Sequence, residues 1–246
     1  MKSKPTGRNR SPSKTSPADT RARTQEKRVF VVDDHPMMRE SMSRLIDGES
    51  GLTCCGGAKS AEEAIGEIPR CKPDVVITDI TLPNRSGLDL IKDLAAMSPE
   101  VLVLVYSMHD EMFYAERALR AGARGYLMKE AGSEKMLEAI RGVLAGEICV
   151  SPRIAAKILN LFSGPRPRGS NSPVEKLTDR EFDIYELMGK GKTTKDIAAQ
   201  LHISPKTVAV HREHIKEKLG IDTAAELTRQ AIRWQEAQAI GREPTR

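Results

Sequence analysis

Residues 74–87 read DVVITDITLPNRSG, and the reading of this stretch decides the fold. The run Val75-Val76-Ile77 does not alternate with polar residues, so it reads as a strand covered on both faces. It ends in a lone carboxylate, Asp79, ahead of a loop rich in Pro, Asn and Gly. A strand buried on both sides that delivers an acid to its tip calls for a chemical reason.

The same pattern repeats on either side. RVFVVDD (28–34) reads as a strand and 35–48 as a helix. LTCCGGA (52–58) is a weaker strand, and SAEEAIGEI (60–68) opens with Ser60 and Glu63 at the spacing of a capping box. DVVITD (74–79) is followed by the helix GLDLIKDLAAM (87–97). VLVLVYS (101–107) is a strand, EMFYAERALRAG (111–122) a helix closed by Gly122, GYLMK (125–129) a strand, and a further helix starts after Ser133. Five β/α repeats imply an α/β fold, a parallel sheet with helices on both faces, and ligands beyond the carboxyl ends of the strands.

A chain of 246 residues suits one large domain or two smaller ones. No apolar run approaches the ~20 residues of a membrane span, and no apolar core follows the basic N-terminus as a secretory leader would require. The four cysteines, 54, 55, 71 and 149, show no C-x-x-C spacing and read as reduced thiols, so a cytoplasmic protein is expected. Residues 1–28 carry nine Lys/Arg against two Asp/Glu, which leaves 30 against 32 for the rest. The net charge of +5 therefore belongs to a tail, and 1–27 reads as a disordered basic arm.

Every strand except the second ends in polar residues: Asp33 and Asp34, Asp79, Ser107, and Lys129. Parallel strands bring these ends to one edge. Three clustered carboxylates repel one another, and a hard divalent cation relieves the repulsion. Mg²⁺ takes oxygen ligands and favours sites with one or two carboxylates plus a phosphate. Asp33, Asp34 and Asp79 are the candidate metal acids, and a backbone carbonyl just past Asp79, that of Thr81, could complete the shell. Asp79 is then a candidate nucleophile for a phosphoryl group, with Lys129 as the paired charge and Ser107 as a donor.

At these residues the chain resembles the receiver domain of two-component response regulators, through VVDDHPMMRE, VVITDITLPNRSGLDLI, YSMHDE and RALRAGARGYLMKEA. The resemblance implies Asp79 as acceptor of a phosphoryl group from a sensor histidine kinase, and Ser107 and Lys129 as phosphate sensors. It also implies Tyr126 as an aromatic that turns inward on activation. Such a domain is a five-stranded, doubly wound sheet of the flavodoxin-like kind, and catalyses only its own phosphorylation and dephosphorylation. Met108 and His109 stand at positions that tune rates in the family.

SGPRPRGSNSP (163–173) reads as a linker, preceded by a helical pattern at 151–162. Residues 177–227 resemble the LuxR-type helix-turn-helix of NarL/FixJ regulators. Thr178-x-x-Glu181 and Thr223-x-x-Glu226 are capping-box spacings, and Ser204-Pro205 and Gly220 bracket a helix. The expected division is a tail (1–27), a receiver (28–147), a connecting helix and linker (148–176), and a DNA-binding domain (177–240). Residues 194–201 form the first helix of the pair and 205–219 the recognition helix. Val208, His211 in part, Ile215 and Leu219 form its inward face; Lys206, Thr207, Val210, His214 and Lys218 form the outward one. Lys206 and Thr207 suit phosphate contacts, Val210 a thymine methyl, Arg212 or Glu213 a base edge, and Lys192 and Lys195 the backbone. Ala209 stands where relatives often carry a basic residue. Residues 177–227 hold eight Lys/Arg against nine Asp/Glu, so affinity must come from charge placement, dimerisation or the tail. His211 and His214 have a metal-binding spacing, but packing and groove contact explain them more simply.

The leading expectation is a phosphorylation-switched regulator of transcription. Its partners would be a histidine kinase, promoter DNA, RNA polymerase and, when active, a second copy of itself; no membrane is involved. Phosphorylation would either free the recognition helix or drive dimerisation. The alternative is a phosphorylation-independent DNA-binding regulator with a vestigial receiver. A phosphatase is disfavoured because Thr81 stands where such enzymes carry their general acid.

Overall fold

The computed structural model describes residues 26–163 and 173–240. The basic arm and most of the expected linker lie outside the described residues. Five strands, β1 (Lys27–Val32), β2 (Leu52–Ala58), β3 (Val75–Thr78), β4 (Leu102–Ser107) and β5 (Gly125–Met128), form one parallel sheet in the order β2-β1-β3-β4-β5. β3 lies in the middle and is buried along its whole length.

Side chains alternate across the sheet. Val29, Val31, Val75 and Ile77 pack with Met42 and Ile46 of α1 (Pro36–Asp47) and with Ile140 and Val143 of α5 (Ser133–Leu144). Phe30, Val32 and Val76 face the opposite layer, made by α2 (Ala61–Cys71), α3 (Gly87–Met97) and α4 (Glu111–Ala121). This is the doubly wound architecture expected from the alternation.

Local differences are small. Strands stop one residue before the polar positions, so Asp33, Asp34 and Asp79 begin loops and Lys129 opens a 3-10 turn, Lys129–Ala131. Only Ser107 lies within its strand. Ser60 caps α2 by accepting from the Glu63 N–H, but the Glu63 carboxylate takes the Lys59 N–H, so the box is half formed. Ser133 is the first residue of α5 rather than its cap. All four cysteines are free, and burial pushes the Cys55 thiol up to about 11, so it is an inert packing residue.

Helix α6 (Pro152–Ser163) leads from the sheet domain to α7 (Asp179–Gly189), α8 (Thr194–Gln200), α9 (Pro205–Leu219) and α10 (Ala224–Ile240). Thr178 and Glu181 form a complete capping box on α7. Ser204 caps α9, Pro205 occupies its first turn, and Gly220, at φ 66, ends it.

The two domains pack through α4. Phe113 lies 4.9 Å from the Trp234 ring of α10 and 6.2 Å from Phe182 of α7. Arg117 sits 4.3 Å over the Phe182 ring, and its guanidinium donates to the Val174 and Leu177 carbonyls and to Asp179. One apolar cluster therefore runs from the sheet through α4 into the helical domain.

Candidate functional site

β1 and β3 are neighbours whose following loops lead to opposite faces of the sheet, the crevice where open α/β sheets bind ligands. Asp33 and Asp34 follow β1, and Asp79 follows β3. Asp33 is fully buried and Asp79 is 6% exposed. Asp79 Oδ1 accepts from the Ile80 N–H at 2.6 Å, the Thr81 N–H at 3.3 Å and the Ser107 hydroxyl at 2.6 Å. Lys129 Nζ bridges Asp33 Oδ2 at 2.6 Å and Asp79 Oδ2 at 2.5 Å. Burial lowers the Lys129 ammonium, but the Asp79 charge and the hydrogen bonds to both acids outweigh it and hold it above its ordinary value. Two side chains far from Asp79 in sequence, Ser107 and Lys129, thus converge on its carboxylate, and Lys129 ties Asp33 to it.

Gly87, at the start of α3, makes this possible. A Cβ there would lie 1.9 Å from the Asp79 carbonyl oxygen. The Gly87 N–H donates to the Ile80 carbonyl at 2.7 Å, so the loop closes tightly behind Asp79. Tyr126 is inward and 1% exposed, with its hydroxyl donating to the His109 carbonyl at 2.9 Å. This inward position coexists with packed domains, so the orientation of the ring alone does not separate them.

The site continues into the helical domain. Thr81 Oγ1 lies 2.7 Å from His109 Nε2, and His109 Nδ1 lies 3.4 Å from Glu186 of α7. The Tyr114 hydroxyl donates to Asp183 at 2.8 Å and Glu186 at 3.2 Å. Burial lowers His109, but its hydrogen bond to Glu186 and the charges of Asp183, Glu186 and Asp79 raise it above the ordinary value. Burial raises Glu186, yet His109 and Lys190 bring it down to about 2. Burial dominates at Asp183 and holds it at about 6, despite His109 and the Tyr114 hydroxyl.

The chain is similar to known proteins over most of its length. Residues 29–141 match the response regulator receiver domain, and 175–231 match the bacterial regulatory proteins of the luxR family. Response regulator GacA of Pseudomonas viridiflava is 37% identical over 207 residues, 84% of this chain and 95% of that relative. The chain is a response regulator of the NarL/FixJ family. The oxygen regulatory protein NreC of Staphylococcus carnosus is 30% identical over 210 residues, 84% of this chain and 97% of its own. A LuxR-family response regulator from Aurantimonas sp. SI85-9A1 superposes with a TM-score of 0.52 at 32% identity, covering 56% of this chain and 99% of that one. RcsB of Salmonella enterica serovar Typhimurium, solved bound to a promoter with the phosphomimetic BeF3−, has a TM-score of 0.55 at 20% identity, over 84% and 98% of the two chains. At that identity it supports the fold alone.

In this response regulator α9 buries Val208 and Ile215 and exposes Lys206, Thr207, Ala209, Val210, Glu213 and His214. Lys192 and Lys195 are exposed beside α8. Two outward expectations are modified. Arg212 donates to the Thr194 hydroxyl at 3.0 Å and the Thr228 hydroxyl at 3.5 Å, so it ties α8 and α10 to α9. Lys218 donates to Glu181 at 2.6 Å. Glu181 also joins His211 and His214 as a third potential ligand that the sequence spacing left out. The Lys218 ammonium occupies that carboxylate instead.

The interdomain residues Asp183, Glu186 and Tyr114 were not singled out from sequence. A signal was present: Phe182, Ile184, Tyr185, Leu187 and Met188 leave α7 no wholly polar face, the pattern of a helix buried all round.

Proposed function

We propose that this response regulator accepts a phosphoryl group on Asp79 from a sensor histidine kinase and regulates transcription by binding promoter DNA through α9. The observation that carries the reading is the convergence of the Ser107 hydroxyl, the Lys129 ammonium and the Ile80 N–H on the two oxygens of Asp79. After transfer to Asp79, Lys129 is placed to hold one phosphoryl oxygen and Ser107 to donate to another. Residues 28–147 act as receiver, 148–176 as connector and 177–240 as the DNA-binding domain.

Mg²⁺ fits the donor set. The acids offer hard oxygens, and Asp34 Oδ1 is buried with no aligned donor, its neighbour being the exposed His35 ring 2.6 Å away. Asp33, Asp34, Asp79 and the Thr81 carbonyl would hold the ion, which when bound neutralises the crowded charge of acids and phosphoryl group.

The described arrangement is a closed one. A cavity of about 660 Å³ is lined by Asn84 of the receiver together with Lys195, His202, Ser204 and Thr207. Two expected phosphate contacts thus share a cleft with the receiver, and DNA seated there would meet the loop after β3. Phosphorylation would shift the population toward an open form, which is expected to bind as a homodimer and to work with RNA polymerase. No described helix is long and apolar enough to cross a membrane, and the cytoplasm is the proposed location.

The test is intact-protein mass after incubation with Mg²⁺ and acetyl phosphate, wild type beside Asp79→Asn. The expected result is one added phosphoryl group in wild type only. No addition from acetyl phosphate or an active histidine kinase would favour a vestigial receiver.

A further inference from the structure

We propose that His202, carried by the DNA-binding domain, is a further residue of the phosphoacceptor site: it contacts Asp34 in competition with the divalent cation and so sets how tightly the site takes Mg²⁺. The proposal rests on the reading of Asp33 and Asp34 as the cation's acids.

His202 stands in the turn between α8 and α9 with φ 53. This left-handed conformation is uncommon for residues other than glycine, though His is among those found there more often. The turn brings His202 Nε2 to 3.2 Å from Asp34 Oδ2. The other carboxylate oxygen, Oδ1, is buried and has no aligned donor, although His35 Nδ1 is 2.6 Å away. The approach is supported from α7, where Arg180 donates to the Asn84 carbonyl at 3.3 Å on the loop that follows Asp79. An element of the DNA-binding domain is therefore seated directly on an acid of the receiver.

Mg²⁺ demands short, near-octahedral oxygen coordination and retains several waters. A ring 3.2 Å from one Asp34 oxygen takes the space of a ligand water and engages the electron pairs the ion needs. Ion and ring therefore exclude one another, and by linkage each weakens the other by the same factor. Since the His202 side chain is 45% exposed, the competition is that of a surface pair, about two- to fivefold in affinity. The consequence is that Mg²⁺ does more than prepare Asp79: it also removes one of the contacts that close the molecule.

The experiment is calorimetric titration of Mg²⁺ into the full-length protein, comparing wild type, His202→Gly, His202→Asn and Asp34→Asn. Gly and Asn both tolerate the left-handed turn, so the fold is kept, and thermal melting confirms it. The expected result is binding about two- to fivefold tighter in both His202 variants, with binding lost in Asp34→Asn. Equal affinities in wild type and both His202 variants, with Asp34→Asn still defective, would overturn the role of His202 and leave the Mg²⁺ site standing. No binding in any of the four would overturn both. A purely structural His202 would move the melting temperature and leave the Mg²⁺ affinity where it was.

Discussion

The hydroxyl of Thr81 and the Nε2 atom of His109 lie 2.7 Å apart, so the loop just beyond the proposed acceptor Asp79 is joined to the residue that reaches the DNA-binding domain. His109 meets Glu186 with its other nitrogen and gives its carbonyl to Tyr126. One residue thus touches the loop after β3 and helix α7 with its ring and Tyr126 with its backbone. A change at Asp79 has a short physical route to the domain interface.

This arrangement makes closure depend on pH. His109 is held above its ordinary value of 6.5 in the closed form, so its contribution is complete below about 6.5 and is lost as pH rises through the raised value. Asp183, raised from 3.8 to about 6, favours closure while protonated, and this is lost as pH rises from 3.8 to about 6. Glu186, lowered from 4.5 to about 2, stabilises closure above 4.5 and fails only as pH falls toward 2. Closure is therefore strongest in mild acid and weakens toward and above neutrality. Trp234, the chain's only tryptophan, packs on Phe113 across the interface. Its emission is expected to shift to the red between about pH 5 and pH 8, and His109→Gln to flatten the change. An identical pH profile in that variant would refute the assignment.

Tyr114→Phe removes one hydroxyl from a fully buried ring. That hydroxyl serves both Asp183 and Glu186. Leaving buried acceptors short of a donor costs about 1–3 kcal/mol. Because the acceptors lie on α7, the loss falls on the closed form. Affinity of the unphosphorylated protein for a selected DNA duplex is expected to rise by up to about tenfold, the equivalent of about 1.4 kcal/mol. Fluorescence anisotropy measures it, and an unchanged Kd would mean that the network does not restrain the domain.

The sheet and the clustering of Asp33, Asp79, Ser107 and Lys129 at its edge were legible in the sequence because they depend on local signals. Unbroken apolar runs announce doubly covered strands, and a polar residue after each run falls at the same sheet edge. The capped helices of the second domain announced themselves through Thr178, Ser204, Pro205 and Gly220. The interface was not legible in the same way. His109 and Glu186 are far apart in the chain, and which face of α7 meets α4 depends on how two domains dock. Arg212 illustrates the remaining gap: a basic residue on a recognition helix reads as a DNA contact, and only the packed structure places Thr194 and Thr228 within its reach.

Gly87→Ala tests how tightly the acceptor loop is built. The added methyl would sit 1.9 Å from the backbone oxygen of Asp79, so the backbone must move. Overpacking of this kind costs about 1–3 kcal/mol. A lower melting temperature and slower uptake of phosphoryl from acetyl phosphate are expected together, because the displaced peptide carries Asp79 itself. A variant that melts lower but is phosphorylated at the wild-type rate would show that the close approach serves stability alone.

Lys206 and Arg212 are separated by the same comparison. Lys206 is exposed at the start of α9, where a side chain reaches phosphate. Lys206→Ala is expected to weaken DNA binding about equally across sequences and to reduce the slope of log K against log salt by about 1. Arg212 is half-buried and spends its guanidinium on two threonine hydroxyls. Arg212→Ala is expected to lower the melting temperature of the DNA-binding domain and to leave the salt slope unchanged. If Arg212→Ala instead changes base preference at one position without loss of stability, the guanidinium must leave Thr194 and Thr228 when DNA binds, and the sequence reading of Arg212 as a base contact would stand.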